Sequence, residues 1–419
     1  MSSLQAGARS DRSVIAFLAF TGILLAFGID SSLPAFDDLR GAFGLEPDSS
    51  RITLIVTWYF AGTAVGQLFY GPIADRFGRM PALRLGIGVY CLGAIGSILA
   101  PSIGWLFVSR FVWGFGAASP GMIRAAITRD LYEGDQMARV ISIYMAVFLI
   151  GPIFAPAAGQ GILALGSWEW VFAAALVLAA ALFVWTFIFG ETLDESNQRP
   201  IKLATTLAGF RKVFTTRSTL GYTLALTFSF GGFIVFLGSA QPIIDVIYDR
   251  ESEFTLWFGL AGTFMAIYFV SVNRFIERHG AHRVSMFVAL AGLVFSTTLL
   301  VVALASDGVP GFFVWLILVV VANAFSTMLT PTCYALGLRP MGELAGTASA
   351  VMGFVSTLGG SALAALVNAR IDGTVTPMAL GYVVYGSIAV GFLIWAGGGA
   401  DDEPTTLRSN RFRPGRVRP

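Results

Sequence analysis

Long apolar runs separated by short polar ones dominate this chain. Twelve runs stand at 14–35, 53–73, 82–101, 104–127, 139–163, 169–189, 219–242, 255–276, 284–305, 311–334, 345–368 and 377–397. A helix needs about 20 apolar residues to cross the hydrocarbon core of a bilayer, so each run predicts a transmembrane helix. Residues 190–218 form the longest internal polar segment and divide the runs into six plus six. The pattern predicts an all-α integral membrane protein of 12 transmembrane helices. Its parts are a six-helix bundle at 1–189, a cytoplasmic linker at 190–218, a second six-helix bundle at 219–397 and a basic cytoplasmic tail at 398–419.

Composition agrees with that reading. Of 419 residues 56% are hydrophobic and only 12% charged, with a mean hydropathy of +0.75; a soluble domain carries about a quarter charged residues. The 48 glycines suit helices that pack closely in lipid. A net charge of +2 leaves no electrostatic footprint for a nucleic-acid partner. Cys91 and Cys333, in separate apolar runs, read as buried packing residues and not as a disulfide or metal site. The first apolar run is too long for a signal-peptide core and lacks a cleavage site, so it should be retained. With the N-terminus placed inside, 21 of the 27 Lys and Arg fall on inner segments and four on outer ones, while Arg110 and Arg124 lie within the fourth run. That bias predicts two cytoplasmic termini.

Between the second and third runs the chain reads Gly71-Pro72-Ile73-Ala74-Asp75-Arg76-Phe77-Gly78-Arg79-Met80-Pro81. The pattern predicts that the helix breaks at Gly71 and Pro72 into a turn carrying Asp75, Arg76 and Arg79, with Gly78 supplying backbone freedom. Bent, charged backbone at this depth is tolerated only against protein at a membrane face. A degenerate second copy, Asn273 to Arg283, places Glu277, Arg278 and Gly280 202 residues beyond Asp75, Arg76 and Gly78. The stretch resembles the G-x-x-x-D-R-x-G-R signature of major facilitator superfamily transporters. The resemblance implies that family's fold, two pseudo-symmetric six-helix halves with the substrate site between them, as the internal repeat also suggests.

Ionisable residues inside a membrane are functional candidates by default. Asp30 in the first run should lie about 8 Å of helix rise below its outer end, and Arg110 in the fourth about 9 Å below the same face, so the two opposite charges sit at similar depth. A carboxylate in a partly dry cavity holds its proton more tightly, and a nearby cation loosens it. Asp30 and Arg110 are therefore the candidates for proton coupling and substrate contact, against the alternative of a structural ion pair. Arg124 should lie about 21 Å deeper than Arg110. There it would pair with Asp75 or Asp130 or reach the interface, and with Gly71, Asp75, Arg76, Gly78 and Arg79 it forms the candidate inner gate. Pro152, Pro156 and Gly159 in the fifth run are either a hinge or plain packing. Trp58, Tyr59, Phe60, Gln67, Phe233, Phe236 and Asn323 are candidate lining of a substrate cavity. Histidines 279 and 282 fall in an inner loop, and no metal site, HExxH or phosphate-binding glycine loop is present, so neither enzyme chemistry, ATP-driven pumping nor a cofactor is expected.

The resemblance narrows further. Ile29-Asp30-Ser31-Ser32-Leu33-Pro34-Ala35 is similar to the I-D-M-Y-L-P-A stretch of Bcr/CflA-type (bicyclomycin and chloramphenicol resistance) drug exporters, and Gly66-Gln67-Leu68-Phe69-Tyr70-Gly71-Pro72 resembles their second helix. Arg110-Phe111-Val112-Trp113-Gly114-Phe115-Gly116-Ala117-Ala118 resembles their R-x-x-q-G-x-G-A-A motif, and Arg129-Asp130-Leu131-Tyr132-Glu133-Gly134 the turn after it. Ala155-Pro156-Ala157-Ala158-Gly159-Gln160 resembles the antiporter G-P-x-x-G-G signature but has Ala155 and Gln160 in place of glycine. Some exporters of this broad class carry a second acid eight positions before the first; here that position is Gly22. The resemblance implies a monomeric, proton-driven exporter of small lipophilic or amphiphilic antimicrobial compounds in a bacterial inner membrane. Its alternatives are a proton-coupled uptake symporter and a non-transporting membrane sensor on the same fold.

Overall fold

The computed structural model describes residues 11–194, 196, 198 and 203–397. The basic tail and parts of the linker lie outside them. Fourteen α-helices follow in order: α1 (Asp11–Asp30), α2 (Phe36–Ala42), α3 (Leu54–Phe77), α4 (Arg79–Ile98), α5 (Ile103–Leu131), α6 (Gly134–Leu163), α7 (Trp168–Phe189), α8 (Leu203–Thr215), α9 (Arg217–Pro242), α10 (Phe254–His279), α11 (Ala281–Ala305), α12 (Phe312–Gly337), α13 (Ala345–Asn368) and α14 (Thr376–Gly397). Among the described residues ten helical stretches are long and apolar enough to cross a membrane. The other two long helices are α6 and α5, the latter interrupted by Arg110, Arg124, Arg129 and Asp130. Together they make the twelve expected spans.

Several boundaries differ from expectation. α5 runs to Leu131 and not 127, which puts Arg129 and Asp130 in the helix, and α6 starts at Gly134 and not 139. Three further departures each have a local reason. α1 ends at Asp30, not at 35: Pro34 cannot extend the hydrogen-bond ladder, and the Ser31 and Ser32 hydroxyls donate back to Phe27 O at 2.5 Å and Ile29 O at 2.9 Å. α3 does not break at Gly71 and Pro72 but continues to Phe77, so Asp75 and Arg76 occupy its last turn. The turn shrinks to Gly78, whose φ of +102° suits glycine, and Arg79 already begins α4. The second copy repeats this arrangement at Gly280, φ +82°, between α10 and α11, which also puts His279 and His282 in helices instead of a loop. Finally, the polar segment contains α8, a 13-residue amphipathic helix too short to span. Its buried Val213 packs with Met341, Ala348, Val351 and Met352 beneath α13.

The first six long helices form one half and the last six the other, and their packing repeats. α3 and α4 pack on α5 as α10 and α11 pack on α12, and α4 meets α7 as α11 meets α14. Between the halves α3 meets α13 and α6 meets α10, two contacts exchanged by the repeat's pseudo-two-fold. Small residues set the closest crossings. A Cβ on Gly62 would lie 1.9 Å from Phe111 O, and one on Gly114 1.8 Å from Tyr59 O, so α3 and α5 touch backbone to backbone. Cys333 is buried, Cys91 half-buried, and both are free thiols.

Candidate functional site

Two clusters gather most of the sequence candidates of the first half. The deeper one forms where α1, α3, α4, α5 and α7 converge on Gly28. Arg110, 1% exposed, donates from Nη1 to Gly28 O at 2.9 Å. Its guanidinium carbon lies 4.7 Å from the ring centroid of Trp113 and 4.5 Å from that of Phe172. Aromatic faces attract a cation, yet Nε and Nη2 are buried without a hydrogen-bond partner among the described residues. A Cβ on Gly28 would lie 2.7 Å from Tyr59 Oη and 2.9 Å from Tyr90 Oη, so only glycine lets both phenols close on the arginine's acceptor. Tyr90 Oη donates to Leu24 O at 3.2 Å, while Tyr59 Oη is buried and has no partner among the described residues.

Asp30, 4% exposed, stands two residues beyond Gly28 at the end of α1. Among the described residues no ion pair joins it to Arg110. The helices that carry the pair, α1 and α5, are in contact. Tyr90, Trp113, Phe172 and Gly28 were not singled out as site residues from the sequence. The signal that would have found them is the arginine: a buried cation needs aromatic faces and carbonyls around it.

The second cluster lies at the arginine-rich end of the bundle. Arg79 donates from Nη1 to Asp75 Oδ1 at 2.6 Å, and from Nε and Nη2 to Asp130 Oδ2 and Oδ1 at 2.8 and 3.2 Å. Arg79 thus binds both carboxylates expected as partners for Arg124, and Arg124 lies over the Tyr144 ring, 4.8 Å from its centroid. Arg76 is exposed. Glu191, beyond the end of α7, accepts from the backbone N–H groups of Arg79 and Met80 at 2.8 and 3.0 Å. A carboxylate at the positive N-terminus of α4 is a stabilising cap. Beside this cluster is a cavity of about 300 Å³ between the halves, lined by Gly71, Asp75, Arg79, Met122 and Tyr144 and, from α13, Thr347. That is the low end of ligand-sized pockets.

The remaining candidates are dispersed. Gln67 Nε2 donates to Thr357 Oγ1 at 3.4 Å across the α3–α13 contact. Phe60 meets Phe230 across the halves with centroids 5.8 Å apart, and Phe230 packs on Phe233. Phe236 stacks on Phe258 in the core of the second half, and Trp58 is exposed against Phe111. Asn323 donates to Tyr382 Oη at 2.7 Å beside a cavity of about 30 Å³, large enough for water alone. In α6 a Cβ on Gly159 would lie 2.1 Å from Ser31 O, so this helix presses on the turn after Asp30; Pro156 is buried in the same stretch. The side chains of Pro152, Asn273 and Glu277 lie outside the described residues.

This fold, with its repeated helix–glycine–helix turn and charged Asp75–Arg79–Asp130 cluster, defines a membrane transporter built from two halves. The chain belongs to the Major Facilitator Superfamily, whose family model matches residues 18–364. Among curated relatives it is 31% identical over 374 residues to a "Bicyclomycin resistance protein homolog" of Haemophilus influenzae, covering 88% of this chain and 92% of that one. It is 26% identical over 348 residues to "Multidrug resistance protein D" of Escherichia coli, covering 80% and 83%. Among solved structures a D-xylose-proton symporter superposes with a TM-score of 0.73 at 17% identity, covering 92% of this chain and 96% of that one, a likeness of fold alone.

Proposed function

We propose that this transporter exports small lipophilic or amphiphilic antimicrobial compounds in exchange for protons, by alternating access between its two halves. The observation that carries the reading is the buried Arg110 guanidinium. It is held by α1 two residues before Asp30 and has two donor groups without partners among the described residues. A buried charge in that condition is costly, and it gains wherever a carboxylate or a polar substrate group comes within reach. Asp30 is the proton-binding residue, Arg110 tunes its charge state, and the names of the drug-resistance relatives support the substrate class.

In this reading residues 1–189 and 219–397 move against each other, 190–218 is the linker, and 398–419 is a cytoplasmic tail. The arginine-rich end faces the cytoplasm with both termini in a bacterial inner membrane, and the cavity beside Asp75 admits substrate from that side. The chain acts as a monomer without a cofactor. Gly71, Asp75, Arg76, Gly78, Arg79 and Arg124 form the inner gate, while Pro156 and Gly159 allow α6 to flex where it crosses α1. The test is proton movement in inverted vesicles driven by a panel of antibiotics, with Asp30→Asn as control. Export coupled to proton entry supports the reading; flux coupled in the uptake direction, or none for any compound, overturns it.

A further inference from the structure

At the arginine-poor end, one buried amide ties the two halves together. Gln241, 2% exposed in the last turn of α9, donates from Nε2 to Asp37 Oδ2 and to Asp245 Oδ2, both at 3.1 Å. Asp37 belongs to the first half, on α2, and Asp245 to the second. Asp245 comes back within reach of Gln241 because the chain leaves Pro242 through a five-residue π-turn, Ile243–Ile247, a rare element that recurs at functional sites. On the first half's side Asp37 also accepts from Arg40 Nη1, and Arg40, itself 2% exposed, donates from Nε to Ser49 O at 3.3 Å. A second bond crosses the halves nearby: Thr255 Oγ1, on α10, donates to Gln160 Oε1, on α6.

We propose that Gln241 is the latch that holds the arginine-poor mouth shut, with Gln160 as a weaker second fastening, and that breaking the Gln241–Asp37 bond opens it. The proposal rests on the alternating-access reading above. Three features favour a latch over plain packing. The amide bridges two carboxyl groups that also interact directly with each other, so its release lets them part and leaves each hydrated, and Asp37 keeps Arg40 as its partner. Gln241 Oε1 and Arg40 Nη2 are both buried without partners among the described residues in the closed arrangement, which leaves that arrangement short of its full hydrogen bonding. The bond also sits on a π-turn, where the backbone ladder has an alternative register.

The test uses the full chain in lipid nanodiscs with no drug and no proton gradient. Spin labels go on cysteines replacing Glu46 and Asp372, exposed positions of the two halves at this end, with Cys91→Ala and Cys333→Ala removing the native thiols. Gln241→Met keeps the volume and removes the donor. It should raise the ratio of long-distance to short-distance populations by about tenfold, the change expected from one lost hydrogen bond to a charged acceptor. Gln241→Glu, which adds a third carboxylate, should raise it further, and Thr255→Val less. Asp37→Ala, which also takes the carboxylate from buried Arg40, should raise it at least as far as Gln241→Met, and adding Gln241→Met to it should change nothing further. Distance distributions like wild type in folded Gln241→Met and Asp37→Ala overturn the latch. Because the readout is a distance and not transport, a protein that opens on losing Gln241 yet moves no antibiotic keeps the latch and loses only the export reading.

Discussion

Replacing Arg110 with methionine separates a coupling residue from a structural pin, because the structure sets the two effects against each other. The substitution removes one charge-assisted bond to Gly28 O, worth about 1.5–3 kcal/mol. It also removes the contacts with the Trp113 and Phe172 rings, worth about 1 kcal/mol each. Against this, Nε and Nη2 are no longer buried without partners, a relief of about 1–3 kcal/mol each. Replacing buried charge by apolar volume is often neutral or stabilising for the same reason. The terms cancel to within about 2 kcal/mol, which for a chain of this size moves the melting temperature by about 4 °C or less. Transport should behave differently, falling at least about tenfold, since a barrier change of ~1.4 kcal/mol already gives that factor. Thermal unfolding and antibiotic-driven proton movement, measured on wild type and Arg110→Met at matched protein levels, decide the matter. A melt lowered by more than about 10 °C with normal transport in the surviving protein would show that Arg110 only pins α5 to α1.

Asp30→Asn should insert and melt like wild type but lose proton-coupled transport, because an amide of the same size carries no exchangeable charge; substrate-driven proton movement at wild-type rates refutes this. Asp75→Asn should lower turnover while leaving substrate affinity, read by calorimetry, within about twofold, since Asp75 lies half-exposed in the Arg79 cluster and far from Asp30. Arg79→Ala takes the cation from the more buried Asp130, which keeps the Thr192 hydroxyl, and should cost up to about 3 kcal/mol of stability in chemical denaturation, an effect absent from Asp75→Asn. Gly114→Val forces atoms into the space held by Tyr59 O and should destabilise by about 3 kcal/mol, whereas Gly88→Ala, with open space at its Cβ, should be neutral or stabilise by up to about 1 kcal/mol. Equal melting temperatures for those two variants would contradict the close crossing of α3 and α5.

The number and placement of the spanning helices were legible in the sequence. The run at 345–368 coincides with α13, and the glycine turns at 78 and 280 recur 202 residues apart as the degenerate repeat implied. Bilayer thickness and the need to satisfy every backbone group inside lipid make spanning a property of each run by itself, so composition is enough to read it. Side-chain partnership is decided by depth and by the angle around two helix axes, which only packing sets. That is why Arg79 holds Asp75 and Asp130, and why Arg110 reaches the Gly28 carbonyl and the aromatic faces of Trp113 and Phe172. It is also why Gln241 meets Asp37 across 204 residues of chain. Asp30 and Arg110 stood out as rare charges in apolar runs; Gly28 and Tyr90 beside them, and Gln241 at the far mouth, became visible only once the helices were packed.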